Sequence, residues 1–325
     1  MSSPEPQAGK AGAAITIVLC VLAAMIEGFD IQSAGIAAPR MAPEFHLDPH
    51  QRANGRAASP LGLLIGAALG GWLADRVGRK VVLVASMVTF GIFSILSAHA
   101  VGYESLAGVR LLCGLGLGGA LPNLIALSAE ATHLKKRNTM VSLMAGGMPA
   151  GGVVSSLVAL HWAGPADWRM IFWIGGVAPI VLAPLVAWLL PESRRFRQAA
   201  AEAGPKVGIL GALFGEGRAL GTVLVAVSFF CVFLILYLLQ NWMPSLMVAK
   251  GFTKPEAFQI QAAFNVGGAI GGALLGWLMD KSRRWAVVGV AYVGMAAGLF
   301  LLAGLGHNLT QALAVGLGAG VVITG

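Results

Sequence analysis

Charge is scarce in this sequence. Asp, Glu, Lys and Arg together make up 11% of the 325 residues, whereas they make up about 25% of an ordinary soluble domain. Hydrophobic residues account for 57% of the chain. This balance excludes a soluble globular domain and predicts a polytopic membrane protein.

Groups that bind metals, form disulfides or catalyse reactions are also few. The three cysteines, Cys20, Cys113 and Cys231, all fall inside predicted helices, so we interpret them as buried free thiols and exclude a disulfide framework. The six histidines form no ligand pattern, and the sequence contains no phosphate-binding loop and no nucleophile with a base. We therefore expect neither an enzyme nor a cofactor, and we expect any transport to be driven by an ion gradient.

Long apolar runs account for most of the chain. A run of about 20 residues is needed to cross the hydrocarbon core of a bilayer, and nine such runs are present with a tenth begun. The predicted spans are 12–37, 56–74, 81–100, 104–129, 139–162, 169–190, 220–246, 258–279, 285–304 and 309 onward. Because the tenth run has no flanking charge at its end, we expect the chain to be a fragment that ends in helix ten.

The basic residues are distributed unequally between the two sets of loops. If the N-terminus is cytoplasmic, the inner loops hold fifteen of the 22 Lys and Arg residues and the outer loops hold six. This is the positive-inside asymmetry, so the charge of +8 orients the chain and is not a nucleic-acid binding surface. We predict a multi-pass protein of the cell (inner) membrane.

An internal repeat predicts the architecture. The segment GWLADRVGRK at 71–80 matches GWLMDKSRRW at 276–285 with a constant offset of 205 residues, and the match extends back to two glycines in each preceding helix. Segments two and eight are therefore equivalent, so the repeating unit is six helices in parallel copies. The predicted organisation is an N-terminal half at 1–190, a cytoplasmic linker at 191–219 and a partial C-terminal half at 220–325.

These motifs resemble those of the major facilitator superfamily. GxLADRxGRK at 71–80 is similar to that family's loop between helices two and three, Arg110, Gly114 and Gly116 are similar to its helix-four pattern, and PESRR at 191–195 is similar to the segment that closes its sixth helix. The resemblance implies an all-α transporter fold, expected here as a monomer in the lipid bilayer. It also implies an inner gate, for which the candidate residues are Asp75, Arg76, Gly78, Arg79, Lys80 and Asp280; a solvated loop that only orients the helix is the alternative.

Ionisable residues inside the predicted helices are the candidates for chemistry. Glu27 and Asp30 interrupt the first apolar run, although a charge at the centre of a membrane helix costs roughly 2.5–3.5 kcal/mol on insertion scales. Three helical steps place them about 60° apart around the helix axis, so both can face one aqueous space. Asp30 and Arg110 are predicted to lie at a similar depth, about 10 Å below the outer surface, where they can meet. We expect Glu27 and Asp30 to couple transport to protons.

The offset of 205 assigns the charges to the N-terminal half alone. Glu27, Asp30 and Arg110 map to Val232, Ile235 and Val315, while helix seven carries aromatic residues. We therefore predict a substrate with a carboxylate at one end and a ring at the other. Arg110 would bind the carboxylate, and Tyr237, Gln240, Asn241 and Trp242 would contact the ring and any hydroxyl. The alternatives are lipid contact for the aromatic residues and a structural ion pair for Arg110.

Two stretches suggest one branch of the family. EGFDIQSAGIAAPR and GLGLGGALPNLIALSAEA resemble the aromatic acid:proton symporter branch, and E-G-F-D in place of its usual DGxD is similar to carriers of the hydroxyphenylpropionate and hydroxybenzoate type. The rival is a proton-driven drug or metabolite antiporter of the same fold. Such antiporters carry a GPxxGG-type segment in helix five, from which GGMPAGG at 146–152 departs in spacing.

Overall fold

The computed structural model of the chain describes residues 10–132, 136–161, 168–193, 196, 211, 214–215 and 217–324. Within this part the secondary structure consists of helices and turns. The helices are α1 Lys10–Glu44, α2 Pro49–Val77, α3 Arg79–Ala98, α4 Tyr103–Ala131, α5 Arg137–Ala145, α6 Gly147–His161, α7 Trp168–Leu189, α8 Ala219–Ala249, α9 Lys254–Lys281, α10 Arg284–Ala303 and α11 Leu309–Ile323.

The predicted membrane segments are confirmed as helices. Among the described residues, nine spans are long and apolar enough to cross a membrane, and the shorter Leu309–Ile323 follows them. The fifth span is divided into α5 and α6 at Gly146. A proline has no backbone N–H, so Pro149 cannot complete the helical hydrogen-bond ladder at this point, which is a sufficient reason for the interruption. Most of the predicted linker at 191–219 lies outside the described residues, and the division into halves and linker stays a prediction.

The helices pack as two groups. We call the face at which α1 begins the inner face and the opposite face the outer face. The core of the first group combines buried residues of α1, α3, α4, α5 and α7, and the core of the second combines residues of α8 to α11. Large apolar side chains such as Leu64, Trp188 and Phe300 are exposed on the outside of the bundle, as expected for helices that face lipid.

The sequence repeat is also visible in the ends of the helices. Asp48 caps α2 and exchanges hydrogen bonds with Gln51, forming a capping box. Thr253 and Glu256 form the same box at the start of α9. Both members of the second box lie 205 residues after those of the first. Helices α2 and α9 therefore begin at equivalent points of the repeat.

Close glycine contacts repeat as well, and they correct one predicted equivalence. A Cβ atom on Gly62 would lie 2.0 Å from the carbonyl oxygen of Leu111, and one on Gly267 would lie 2.0 Å from that of Leu317. The offset is 205 residues in α2 and α9 but 206 in α4 and α11. Arg110 therefore corresponds to Gly316 and not to Val315; one additional residue before α11 accounts for the difference. Glu27, Asp30 and Arg110 therefore still have no charged counterpart in the second half.

The two groups meet along α1, α5 and α6. A Cβ atom on Gly35 of α1 would lie 2.6 Å from the carbonyl oxygen of Asn241 on α8, near the outer face. A Cβ atom on Gly276 of α9 would lie 2.5 Å from Ser142 Cβ on α5, near the inner face. Glycines at both places allow the backbones to approach closely. The interface between the groups is thus formed by small residues at both ends.

Candidate functional site

Asp30 and Arg110 form an ion pair inside the first group of helices. Arg110 Nη1 lies 3.1 Å from Asp30 Oδ2, and the two side chains are 1% and 0% exposed. The predicted proximity of these residues is therefore confirmed. Arg110 Nη2 also donates to the Asp30 carbonyl oxygen at 3.3 Å and to Ser59 Oγ on α2 at 3.3 Å. The guanidinium lies 5.4 Å from the centroid of the Phe172 ring. The pair is thus enclosed by α1, α2, α4 and α7.

Two small side chains complete the surroundings of Asp30. Ser94 Oγ on α3 forms a short contact with Asp30 Oδ1 and lies 3.1 Å from the Phe172 carbonyl oxygen. Cys113 Sγ on α4 lies 3.2 Å from Asp30 Oδ2. Neither was predicted, because Ser94 carries no charge that would set it apart in its apolar segment and Cys113 was interpreted as a buried free thiol. Cys113 could have been predicted from its position, because it lies three residues after Arg110 on the same face of α4.

Glu27 has no such support. Its side chain is fully buried, and neither carboxyl oxygen has a hydrogen-bond partner within the described part of the chain. An unpaired charge is expensive to bury, and an ionisable residue inside a membrane segment is by default a functional candidate. The structure therefore separates the two acids: Asp30 is paired and Glu27 is not.

The four candidate residues of α8 lie near the contact with the first group. Gln240 and Asn241 are buried, and Tyr237 packs against the core of the first group. Asn241 Nδ2 donates to the Tyr237 carbonyl oxygen at 3.1 Å on its own helix, whereas Gln240 Oε1 has no partner among the described residues. Trp242 is half-buried.

The rest of the aromatic surface of α8 points elsewhere. Phe229 and Phe230 are 59% and 68% exposed, and Phe229 stacks on Phe233, which stacks in turn on Tyr237. Their exposure fits the alternative of lipid contact. Of this aromatic row, Tyr237 is the member that the structure brings to the interface.

A buried cluster of three amide side chains joins the two groups. Gln32 on α1 and Asn265 on α9 exchange two hydrogen bonds, Gln32 Nε2 to Asn265 Oδ1 at 3.0 Å and Asn265 Nδ2 to Gln32 Oε1 at 2.8 Å. Gln261 Nε2 donates to the same Gln32 oxygen at 3.0 Å. All three side chains are fully buried. None of the three was predicted as a site residue, although Gln32 lies in the EGFDIQSAGIAAPR stretch.

The candidate residues of the inner gate in the motif at 71–80 make contacts that do not centre on Asp75. Arg79 Nη1 pairs with Glu130 Oε1 at 2.5 Å, at the end of α4, and the Lys80 backbone N–H donates to Glu192 Oε1 at 3.1 Å. Gly78 adopts a φ of 106°, which favours glycine, and a Cβ atom there would lie 2.5 Å from Glu192 Oε2. The motif thus holds the ends of α4 and α7.

The equivalent aspartates of the two halves differ in their contacts. Asp75 is exposed, no ion pair joins it to another described residue, and Arg76 lies over the Trp72 ring at 3.8 Å. Asp280 instead crosses to the other group, where its Oδ2 accepts from Thr139 N at 2.8 Å and from Thr139 Oγ1 at 2.5 Å. Because a carboxylate is favourable near a helix N-terminus, Asp280 stabilises contact with the start of α5.

Comparison with known proteins places this arrangement in a family. The sequence profile described as Major Facilitator Superfamily matches residues 20–325. The 3-(3-hydroxy-phenyl)propionate transporter of Escherichia coli K12 is 42% identical over all of this chain and 79% of its own length. The 4-hydroxybenzoate transporter PcaK of Acinetobacter baylyi is 33% identical over 95% of this chain and 74% of its own length. These relatives are transporters and not enzymes.

Solved structures show the same fold. A partially occluded inward open conformation of the xylose transporter XylE from E. coli aligns with a TM-score of 0.73, at 19% identity, over 96% of this chain and 84% of that one. A bacterial homologue of the human lysosomal transporter Spinster aligns with a TM-score of 0.66. The two-group arrangement of helices is thus that of these structures. Because the Major Facilitator Superfamily profile matches residues 20–325, the chain belongs to that superfamily.

Proposed function

We propose that the protein imports an aromatic carboxylate of the hydroxyphenylpropionate or hydroxybenzoate class together with protons, across the cell (inner) membrane and with its N-terminus in the cytoplasm. The observation that carries the proposal is the buried pair of Asp30 and Arg110. Among the Lys and Arg side chains whose burial the structure describes, Arg110 is the one that is buried. A carboxylate that needs a cation away from water therefore has this guanidinium as its partner.

The pair explains how proton and anion are coupled. At about 4 Å and an effective dielectric of about 20, two unit charges interact by about 4 kcal/mol, a factor of about a thousand in binding. An ionised Asp30 therefore holds Arg110 against a competing carboxylate. A protonated Asp30 releases the guanidinium to the substrate, so proton and anion enter together.

The remaining candidates have supporting roles in this scheme. Glu27, buried without a partner, is the candidate for a second proton, which would add about 2.3 kcal/mol of driving force per 100 mV. Tyr237, Gln240, Asn241 and Trp242 would contact the aromatic ring from α8. The inner gate would be formed by the contacts of Gly78, Arg79, Lys80 and Asp280, with Asp75 and Arg76 on the same face.

The test uses proteoliposomes with an imposed pH gradient. The wild type should accumulate a labelled hydroxylated aromatic acid above its external concentration. Asp30→Asn should abolish this accumulation while exchange of labelled for unlabelled acid persists, because Arg110 stays available when the proton step is lost. Asp48→Asn, at the exposed cap of α2, is the matched control and should accumulate normally.

Two outcomes would contradict the proposal. Full accumulation by Asp30→Asn would exclude Asp30 as the coupling residue. Proton-driven efflux of a cationic dye by the wild type, without counterflow of aromatic acids, would favour the drug antiporter instead.

A further inference from the structure

The hydroxyl of Ser94 lies between two acceptors that belong to different helices. It contacts Asp30 Oδ1 on α1 and lies 3.1 Å from the Phe172 carbonyl oxygen on α7. The Ser94 side chain is fully buried. A serine hydroxyl has one proton and two lone pairs. It can therefore donate to only one of these two oxygens at a time, and it keeps the capacity to accept a hydrogen bond.

The two oxygens of the Asp30 carboxyl group differ in their partners. Arg110 Nη1 lies 3.1 Å from Oδ2 and 3.4 Å from Oδ1, and Cys113 Sγ lies 3.2 Å from Oδ2. The guanidinium repels a proton, and a thiol sulfur is only a weak acceptor. Oδ1 instead faces Ser94, and a Cβ atom on the adjacent Gly175 of α7 would lie 3.2 Å from Oδ1. Oδ1 is therefore the oxygen better placed to bind a proton.

We infer that Ser94 is a positioning residue for the proton step, one that directs the proton to Asp30 Oδ1 and keeps a hydrogen bond to Asp30 in both protonation states. The inference rests on the proposed function, in which Asp30 carries the proton. With Asp30 ionised, the Ser94 O–H donates to Oδ1. When a proton binds Oδ1, the new carboxylic O–H donates to Ser94 Oγ, and the serine O–H turns to donate to the Phe172 carbonyl oxygen. That oxygen has two lone pairs and can accept this bond besides its helical one.

This exchange requires the rotation of one hydroxyl group and no movement of a helix. A buried donor that lacks an acceptor is costly, so a neutral Asp30 without Ser94 would have to leave its O–H unpaired. The proton also lies on the oxygen farther from Arg110. Oδ2 is then an uncharged carbonyl oxygen beside the guanidinium, which leaves Arg110 free to bind the carboxylate of the substrate.

Other charged or titratable groups bear on Asp30 from the helices packed around it. Those near the carboxyl group are Arg110 and Cys113 on α4 and, one turn away on α1, Glu27. Tyr237 on α8 packs against the core of the same group. The other charged residues of α2, α3, α4 and α7 whose side chains the structure describes lie toward the helix ends: Asp75, Arg76, Arg79, Lys80, Glu104, Glu130 and Arg169.

The experiment measures uptake of a labelled hydroxylated aromatic acid into proteoliposomes over a range of external pH. A hydrogen bond to an ionised carboxylate is stronger than one to a neutral acid, so Ser94→Ala weakens the ionised state more than the protonated one. Uptake by Ser94→Ala should therefore stay half-maximal up to an external pH about one unit higher than in the wild type. Ser94→Cys, whose thiol is a weaker donor and acceptor, should show a smaller shift in the same direction.

Ser97→Ala is the matched control. Ser97 is also fully buried on α3, but its Oγ donates to the Phe93 carbonyl oxygen of its own helix at 2.8 Å. The same change one turn away should therefore leave the pH profile of uptake unchanged. A role of Ser94 in packing alone would lower uptake at every pH alike and would not shift the profile.

A second measurement needs no transport. Infrared spectra of the purified protein in acidified lipid membranes record the C=O stretch of protonated carboxyl groups, and the band that is missing in Asp30→Asn belongs to Asp30. Loss of a hydrogen-bond partner moves such a band to higher frequency. Ser94→Ala should therefore raise the frequency of the Asp30 band, and Ser97→Ala should not.

The outcomes separate this inference from the proposed function. Absence of aromatic acid uptake by the wild type would overturn the proposed function, while the infrared band would still test where the proton binds. An Asp30 band that does not move in Ser94→Ala would overturn the inference even if uptake is normal. An unshifted pH profile in Ser94→Ala, with uptake lowered equally at every pH, would assign Ser94 to packing and would also overturn it.

Discussion

Asp30 and Gln32 lie two residues apart on α1, and their side chains bond to different halves of the molecule. Asp30 pairs with Arg110 at 3.1 Å in the first group, and Gln32 accepts from Asn265 at 2.8 Å in the second. One continuous helix therefore connects the charged pair to the interface between the groups. A change in the bonding of Asp30 that rotates or shifts α1 would also act on the amide contacts across this interface.

The charged pair predicts a strong energetic coupling. Removing one member of a buried ion pair leaves an uncompensated charge and costs about 3–5 kcal/mol. Arg110→Gln and Asp30→Asn should each lower the unfolding midpoint of the protein in detergent. The double variant should be more stable than the sum of the single effects predicts, by roughly 1–3 kcal/mol. If the losses of stability in the two single variants simply add up in the double variant, this double-mutant cycle would show that the two charges do not stabilise each other.

How far the sequence predicts this site depends on the kind of side chain. Charges are rare and costly in membrane helices, so Asp30 and Arg110 stand out, and helical rise places them at one depth. Ser94 and Cys113 do not stand out, because a hydroxyl or thiol can satisfy itself on its own helix. Only the packing of α3 and α4 around α1 shows that both contact Asp30.

The repeat shows a similar limit. The matching motifs predict equivalent helices, and the capping boxes and glycine contacts bear this out. The predicted counterpart of Arg110 was wrong by one residue, because the loop before α11 is one residue longer than the loop before α4. A hydropathy pattern does not reveal such a difference in loop length. The partner of Asp280 was also missed, since Thr139 is distant in sequence and only tertiary packing brings it to 2.8 Å.

The contact between α1 and α6 predicts an intolerance to one methyl group. A Cβ atom on Gly28 would lie 2.0 Å from the backbone oxygen of Met148, and a backbone oxygen cannot move away as a flexible side chain can. Elsewhere in a helix, Gly→Ala should stabilise by about 1 kcal/mol. Gly28→Ala should therefore lower the folded yield and the unfolding midpoint, whereas Gly289→Ala, with nothing within 4 Å of its added methyl, should not. Equal behaviour of the two variants would contradict the close helix contact.

Asp280 predicts a change in access from the inner face. Its carboxylate accepts two hydrogen bonds from Thr139 at the start of α5, and Ser142 packs against Gly276 one turn further on. Asp280→Ala should loosen this contact. Cys231 is exposed and not buried as predicted, so the measurement uses a background in which it is changed to Ser. In this background a cysteine introduced by Ser142→Cys should react several-fold faster with an impermeant maleimide added at the inner face.

The control for this measurement is Lys281→Ala. Lys281 neighbours Asp280 in sequence but lies over the Trp277 ring of its own helix. Its removal should leave the labelling rate unchanged. Faster labelling in both variants would indicate general loosening of α9, and an unchanged rate in Asp280→Ala would exclude Asp280 from the inner gate.

Glu44 predicts a pH dependence of stability at the outer face. Hydrogen bonds from Arg169 and Trp168 lower the pKa of the Glu44 carboxyl below its ordinary value. A group with a lowered folded pKa contributes stability that is fully present above its unfolded pKa, about 4.3 for Glu, and that is lost as the pH falls through the folded pKa. The side chains of Arg169 and Glu44 are each 38% exposed, so solvent and salt keep the contribution small.

Glu44→Gln should therefore unfold at a slightly lower temperature than the wild type at pH 7, and the difference should disappear as the pH is lowered below about 4. Thermal unfolding in detergent across this range checks it, and a difference that persists at low pH would mean that the effect of Glu44 comes from packing and not from its charge.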